Sequence, residues 1–278
     1  MEQFASGWKR NYYGKGDVIV YRLRRRGEAS VFGANIKMLV YGDAFWPTYT
    51  TGDNTGLIAT DSMKNFIQRE ALNYSGSDLE GCCQFLGAKF LETYSQVEGV
   101  QVSADEIPYS ALAEEKIAFA PGGPERKTAR VELGRKGTIE VVSGIHGFKL
   151  LRLTGSAFHG FVRDQYTTLP DLLDRPLHMF LDLDWLYTQP SDAFNSGRIS
   201  ATVHHMVHDV FSSFESGSIQ QVIYQIGTKI LTEIPVIAEV HLEATNRTWD
   251  TVVERGNEIG VYTDARPPYG CLGLRLKR

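Results

Sequence analysis

Residues 17–23 limit the fold more than any other part of the chain. Val18 and Val20 fall on one side of an extended segment, and Ile19, Tyr21 and Leu23 fall on the other, so both faces are apolar. A strand of this kind needs cover on both sides of its sheet. A second strand-like run follows at residues 31–41.

Two amphipathic helices come next. Met63, Phe66, Ile67 and Ala71 share one helical face, and after the break Ser75-Gly76-Ser77-Asp78 a second face collects Leu79, Cys82, Cys83, Leu86 and Phe90. Extended stretches at 100–112 and 127–133, joined by a link containing Pro121-Gly122-Gly123-Pro124, complete the order β-β-α-α-β-β. The second half repeats it. Strand-like runs at 139–154 and 177–187 lead to a helix carrying Ile199, Val203, Met206, Val207 and Val210, then to one carrying Ile219, Val222, Ile223, Ile226 and Ile230. Pro235 marks the exit from the helix pair, and strands at 236–243 and 259–276 close the chain.

This order predicts an α+β protein of two tandem ββααββ units, residues 1–137 and 138–278. Each unit is expected to be an antiparallel four-stranded sheet with a helix pair on one face, the two joined into one longer curved sheet. Further copies of the chain would cover the opposite face and close the free edges into a barrel, so an obligate oligomer is expected.

Composition excludes several classes. With 278 residues, 42% of them hydrophobic, the chain can bury a sizeable core. The net charge of −4 and the short, separated basic runs Arg24-Arg25-Arg26 and Lys277-Arg278 argue against nucleic acid as a partner. Cys82, Cys83 and Cys271 cannot form a disulfide framework and contain no CxxC pair, which points to a reducing compartment. Met1-Glu2-Gln3-Phe4-Ala5 carries no leader pattern, Leu274-Arg275-Leu276-Lys277-Arg278 lacks a Ser-Lys-Leu address, and no apolar window approaches the roughly 20 residues of a membrane span. A cytoplasmic location without membrane contact is expected.

Individual candidates for chemistry each have a bland explanation. Thr60, Asp61 and Ser62 stand where an extended run turns into a helix, so any of them could cap it; the same helix start could instead bind an electron-rich anion. Lys15 lies in Tyr13-Gly14-Lys15-Gly16, read as a turn before the first strand, where a lysine is ordinarily solvated; a desolvated lysine there would be a base. Phe158 reads as core and Arg175 as a surface ion pair, while Gln220 begins a helix and Asn246 sits in a turn. His204 and His208 share a helix face, beside His205, but no carboxylate or cysteine completes a recognisable zinc set, so no metal is expected.

Taken in order, Tyr13-Gly14-Lys15, Ala59-Thr60-Asp61-Ser62-Met63-Lys64-Asn65, Gly160-Phe161-Val162-Arg163-Asp164-Gln165-Tyr166-Thr167-Thr168-Leu169 and Asp174-Arg175 resemble the urate oxidase family. The longest matches are TDSMKN and FVRDQYTTL, and the resemblance runs from Tyr13 through the final strand. It implies the tunnelling fold, a homotetramer enclosing a barrel, and oxidation of urate by O2 without metal or organic cofactor. By position, Phe158 would stack on the purine, Arg175 would grip one edge and Gln220 the opposite edge, with the Ile219 backbone beside it. Thr60 and Asp61 would arrive from a neighbouring subunit, Lys15 and Thr60 would form a proton relay, and Asn246 would face the oxygen and water site. One departure stands out. Many family members have histidine two residues after this asparagine, where this chain has Thr248, whose hydroxyl can relay a proton but cannot hold positive charge.

Two other functions fit the same reading. A pterin or guanine-nucleotide enzyme of the same fold would need a metal site or a distinctive catalytic acid, neither of which is found. A non-catalytic purine binder would keep Phe158, Arg175 and Gln220 while Thr248 marks lost chemistry.

Overall fold

The structure, a computed structural model, describes residues 11–113, 117–256 and 258–278, without the side chains at 195 and 196. The reading of Met1–Ala5 lies outside them. Two compact units emerge, Met1–Ser143 with Leu186–Gly197, and Gly144–Trp185 with Arg198–Arg278.

In the first unit, β1 (Tyr13–Arg24) and β2 (Ser30–Tyr41) form an antiparallel pair. After the short α1 (Trp46–Thr50), the helices α2 (Thr60–Glu70) and α3 (Leu79–Thr93) follow. β3 (Gly99–Glu106) pairs antiparallel with β2 and with β6 (Arg126–Gly134). β4 (Tyr109–Ala111) and β5 (Phe119–Pro121) make a separate small ribbon, because Ile107-Pro108 ends the pairing that a continuous strand at 100–112 would need.

Alternation in β2 explains the core. Ala34, Ile36, Met38 and Val40 are fully buried, and the intervening residues face the other side. In the same unit α2, with Met63 and Ile67 buried, packs on β1, and α3, with Leu86 and Phe90 buried, packs on β3 and β6, each large side chain contributing roughly 1.5–3 kcal/mol. Asp78 starts α3 by accepting from the Gly81 amide at 2.6 Å. On β1, Val18 and Val20 join this core, whereas Ile19, Tyr21 and Leu23 are 52%, 50% and 57% exposed on the opposite face.

β7 (Gly137–Arg152) leads to the second unit, which holds β8 (Leu177–Tyr187), α4 (Ser196–Ser213), α5 (Ile219–Glu233) and β9 (Ile237–Asn246). A hairpin of β10 (Asp250–Arg255) and β11 (Ile259–Thr263) precedes β12 (Cys271–Lys277), which pairs antiparallel with β9. Leu177, Met179, Leu181, Leu183 and Trp185 alternate into the core, Val203 and Val207 of α4 are fully buried as well, and α5, with Val222, Ile226 and Ile230 buried, packs on β9 and β12. Strand order in the eight-stranded sheet is β1-β2-β3-β6-β7-β8-β9-β12.

Three expectations need correction. Tyr13-Gly14-Lys15-Gly16 is part of β1 rather than a turn before it. The final strand-like run is divided between β11 and β12, with β10 added in front; every residue of β10 is exposed, so no burial pattern announced it. Thr60, Asp61 and Ser62 do not cap α2, whose N-cap is Ala59 without any side-chain bond. No helix among the described residues is long and apolar enough to cross a membrane.

Candidate active site

Phe158 and Arg175 lie in an irregular segment that backbone bonds hold in place. Phe158 exchanges amide bonds with Leu172 at 2.7 and 2.9 Å, the Ala157 amide donates to the Ser216 carbonyl at 2.8 Å, and the Arg175 amide donates to the Ser156 carbonyl at 3.0 Å. Asp174 fastens the crossing. Its carboxylate accepts from the Thr154 hydroxyl at 2.5 Å and from the Gly155 and Ser156 amides at 2.8 and 3.3 Å. These bonds, the Thr154 hydroxyl first, hold its carboxyl below the usual carboxylate range.

The consequence is a fixed pairing of ring and cation. The Arg175 guanidinium carbon lies 5.7 Å from the Phe158 ring centroid, and Phe161 stacks on Phe158 at 5.0 Å and 16°. Arg175 is half-buried rather than in the expected surface ion pair. Its Nε is buried without a hydrogen-bond partner, and desolvation lowers its pKa. A buried donor left in this state costs about 1–3 kcal/mol, which an acceptor on a ligand would recover. A cavity of about 380 Å³ nearby is lined by Ala157, Asp174 and Gly217 among others, and not by Phe158, Arg175 or Gln220.

Helix α5 presents the next pair. Ser218 is its N-cap and accepts from the Gln221 amide at 3.2 Å, while Gln221 Oε1 accepts from the Gly217 amide at 2.8 Å. This is a close variant of the Ser-x-x-Gln capping box. It engages Gln221 and leaves Gln220 exposed, with the first N–H groups of the helix, Ile219 and Gln220, outside the intrahelical ladder. The Ile219 side chain is buried, so only its backbone is offered to a ligand.

Asn246 ends β9, where its amide donates to the Gly270 carbonyl at 2.9 Å. Its Oδ1 accepts from the Thr248 amide at 3.1 Å and from the Thr248 hydroxyl at 2.6 Å. Because a backbone N–H can only donate, this Asx turn fixes which end of the side-chain amide is oxygen and leaves Nδ2 outside the turn. Thr248 therefore acts on Asn246, a contact that two residues in an ordinary turn did not announce.

The first unit holds Lys15, Thr60 and Asp61. Lys15 pairs with Met38, whose side chain is fully buried, so Lys15 stands on the helix side of β1. Tyr13 shares that face; its ring meets Phe45 edge-on at 5.0 Å and its Oη accepts from the Ile58 amide at 2.9 Å, just before α2. Thr60 and Asp61 are exposed at the helix start. Asp61 accepts from Lys64 at 2.5 Å and from Asn65 at 3.0 Å. Its carboxyl is held below the usual range, chiefly by Lys64, with Asn65 and the charge of Lys15 adding to it. α2 packs on β1, the strand that carries Lys15.

The sequence profile of the Uricase family matches residues 11–134 and 141–271. The chain belongs to the uricase family. The Uricase of Haloferax volcanii is 39% identical over 273 residues, covering 86% of this chain and 89% of that relative. The Uric acid degradation bifunctional protein PucL of Bacillus subtilis is 36% identical over 299 residues; the match takes in 96% of this chain but only 60% of the relative's length. The crystal structure of urate oxidase from Bacillus sp. TB-90 superposes with a TM-score of 0.88 at 34% identity, covering 96% of this chain and 100% of that one. The fold is that of the urate oxidases, the tunnelling fold.

Proposed function

We propose that this uricase-family chain is a urate oxidase: urate, O2 and water give 5-hydroxyisourate and hydrogen peroxide, with no metal or organic cofactor. The observation that carries the reading is Arg175, half-buried beside Phe158 with an unpartnered Nε. A planar, delocalised anion with carbonyls on its rim meets each demand of that pair: a π face for the ring and acceptors for the two-pronged guanidinium. Gln220 and the Ile219 amide, freed by the Ser218 cap, take the opposite edge.

Lys15 and Thr60 work on the other side of the substrate. Lys15 accepts a proton passed through the Thr60 hydroxyl, and urate becomes a stronger reductant as it loses protons. The electron-rich anion then gives one electron to O2, the radical pair combines to a peroxide adduct, and water displaces peroxide. Asn246, whose Oδ1 is held by Thr248, orders oxygen and then water above the ring through Nδ2.

Each site takes Thr60 and Asp61 from a neighbouring subunit of a homotetramer. The exposed apolar side of β1, with Ile19, Tyr21 and Leu23, supports assembly with further copies.

The test is to incubate the chelator-treated protein with urate in air and without oxygen, following urate absorbance and peroxide. Loss of urate with peroxide in air alone is expected. Urate binding without consumption would replace the reading with a non-catalytic purine binder.

A further inference from the structure

We propose that Asp17 is a positioning residue: the bulge it forms in β1, clamped by Asn35, turns Lys15 onto the helix side of the sheet. The inference rests on the role given to Lys15 under the proposed function.

Register shows the device. Between Lys15 and Val18 stand two residues, Gly16 and Asp17, while between their partners Met38 and Ile36 stands only Lys37. Two residues against one make a β-bulge. In a regular strand side chains alternate, so residues three apart point to opposite faces. The extra residue cancels one alternation, and Lys15 shares a face with Met38 as Val18 does with Ile36. Met38 and Ile36 are fully buried. Without the bulge, Lys15 would project on the side of Ile19, Tyr21 and Leu23, away from α2.

The backbone at Asp17 makes the bulge possible. With φ at 54° it is the one non-glycine residue with positive φ among the described residues. Apart from glycine, asparagine and aspartate are the residues that enter this region most readily, because their short polar side chains bond locally. Here Asp17 Oδ1 accepts from Asn35 Nδ2 at 3.2 Å, across the strand pair. Asp17 is itself exposed, so packing does not explain its conformation. Upstream, a Cβ at Gly14 would collide with the Met38 carbonyl, which keeps the two strands close at the residue before Lys15.

The experiment compares Asp17→Val, Asp17→Gly and Asn35→Ala with the parent chain. Readouts are kcat in air, urate affinity by calorimetry without oxygen, and crystal structures. Valine resists positive φ, so kcat should fall about tenfold or more, while urate affinity holds within about twofold because Lys15 does not grip the ring. Glycine should restore kcat to within about twofold of the parent. Parent kcat in Asp17→Val, or equal impairment of Asp17→Gly, would overturn the inference. Should the valine variant not fold, Asn35→Ala decides: an unchanged kcat overturns the proposal and a fall at constant affinity supports it. The crystal structure reads the backbone directly, whether or not the parent consumes urate. A bulge retained in Asp17→Val, with Lys15 still opposite Met38, would refute the role of Asp17, whereas failure of the parent to consume urate would refute only the proposed function.

Discussion

Replacing Thr248 by valine separates two chemical roles for its hydroxyl, positioning Asn246 and relaying a proton. Asn246 Oδ1 holds two bonds from Thr248, the hydroxyl at 2.6 Å and the amide at 3.1 Å. Valine keeps the shape and the amide bond and removes only the hydroxyl. One neutral hydrogen bond is worth about 0.5–1.5 kcal/mol. If that energy serves to aim Nδ2 in the transition state, kcat should fall about 2- to 12-fold. KM for urate should stay near the parent value, since Asn246 does not hold the ring edge. Steady-state oxygen consumption at saturating urate gives kcat, and Thr248→Ser, which keeps the hydroxyl, should behave like the parent. A loss beyond about a hundredfold, of the size expected for a proton-transfer group, would refute the positioning account in favour of a relay. No change in kcat would refute both.

Three further outcomes follow from the site. Lys15→Met should lower kcat by at least about a hundredfold while anaerobic urate binding persists; unchanged turnover would remove Lys15 from the mechanism. Arg175→Lys loses the planar fork and should raise KM about tenfold or more, measured by initial rates. Asp174 has a depressed pKa in the fold, so its contribution is present above the unfolded carboxyl range and is lost as pH falls through the lower folded value. Asp174→Asn should therefore lower the melting temperature at neutral pH, and its gap from the parent should narrow below about pH 4; an equal gap at neutral and acid pH would contradict the assignment.

Much of this architecture was legible in the chain, for identifiable reasons. Met63 and Ile67, or Ile219, Val222, Ile223, Ile226 and Ile230, repeat at helical spacing because one side of each helix is buried, and that burial is observed. The run at 177–187 alternates so regularly that the expected strand and β8 coincide. The Ser218-x-x-Gln221 pattern was available too, and it would have separated the engaged glutamine from the free Gln220. By contrast, the β10–β11 hairpin buries none of its β10 residues, so hydrophobic periodicity carried no signal for it.

Local sequence, then, determined the order of the main strands and helices and supplied the side chains of the candidate site, because periodic burial and motif chemistry are written in neighbouring residues. Tertiary structure decided how those side chains are presented. Whether Lys15 faces the helices depends on a one-residue mismatch between β1 and β2, and a mismatch is a property of two strands. The free start of α2 depends on Ala59 being its N-cap although three good capping residues follow. The orphaned Nε of Arg175 exists because distant segments, pinned by Asp174, withdraw it from water without supplying an acceptor. Orientation and desolvation arise from contacts between remote parts of the chain, and for that reason only the folded molecule sets them.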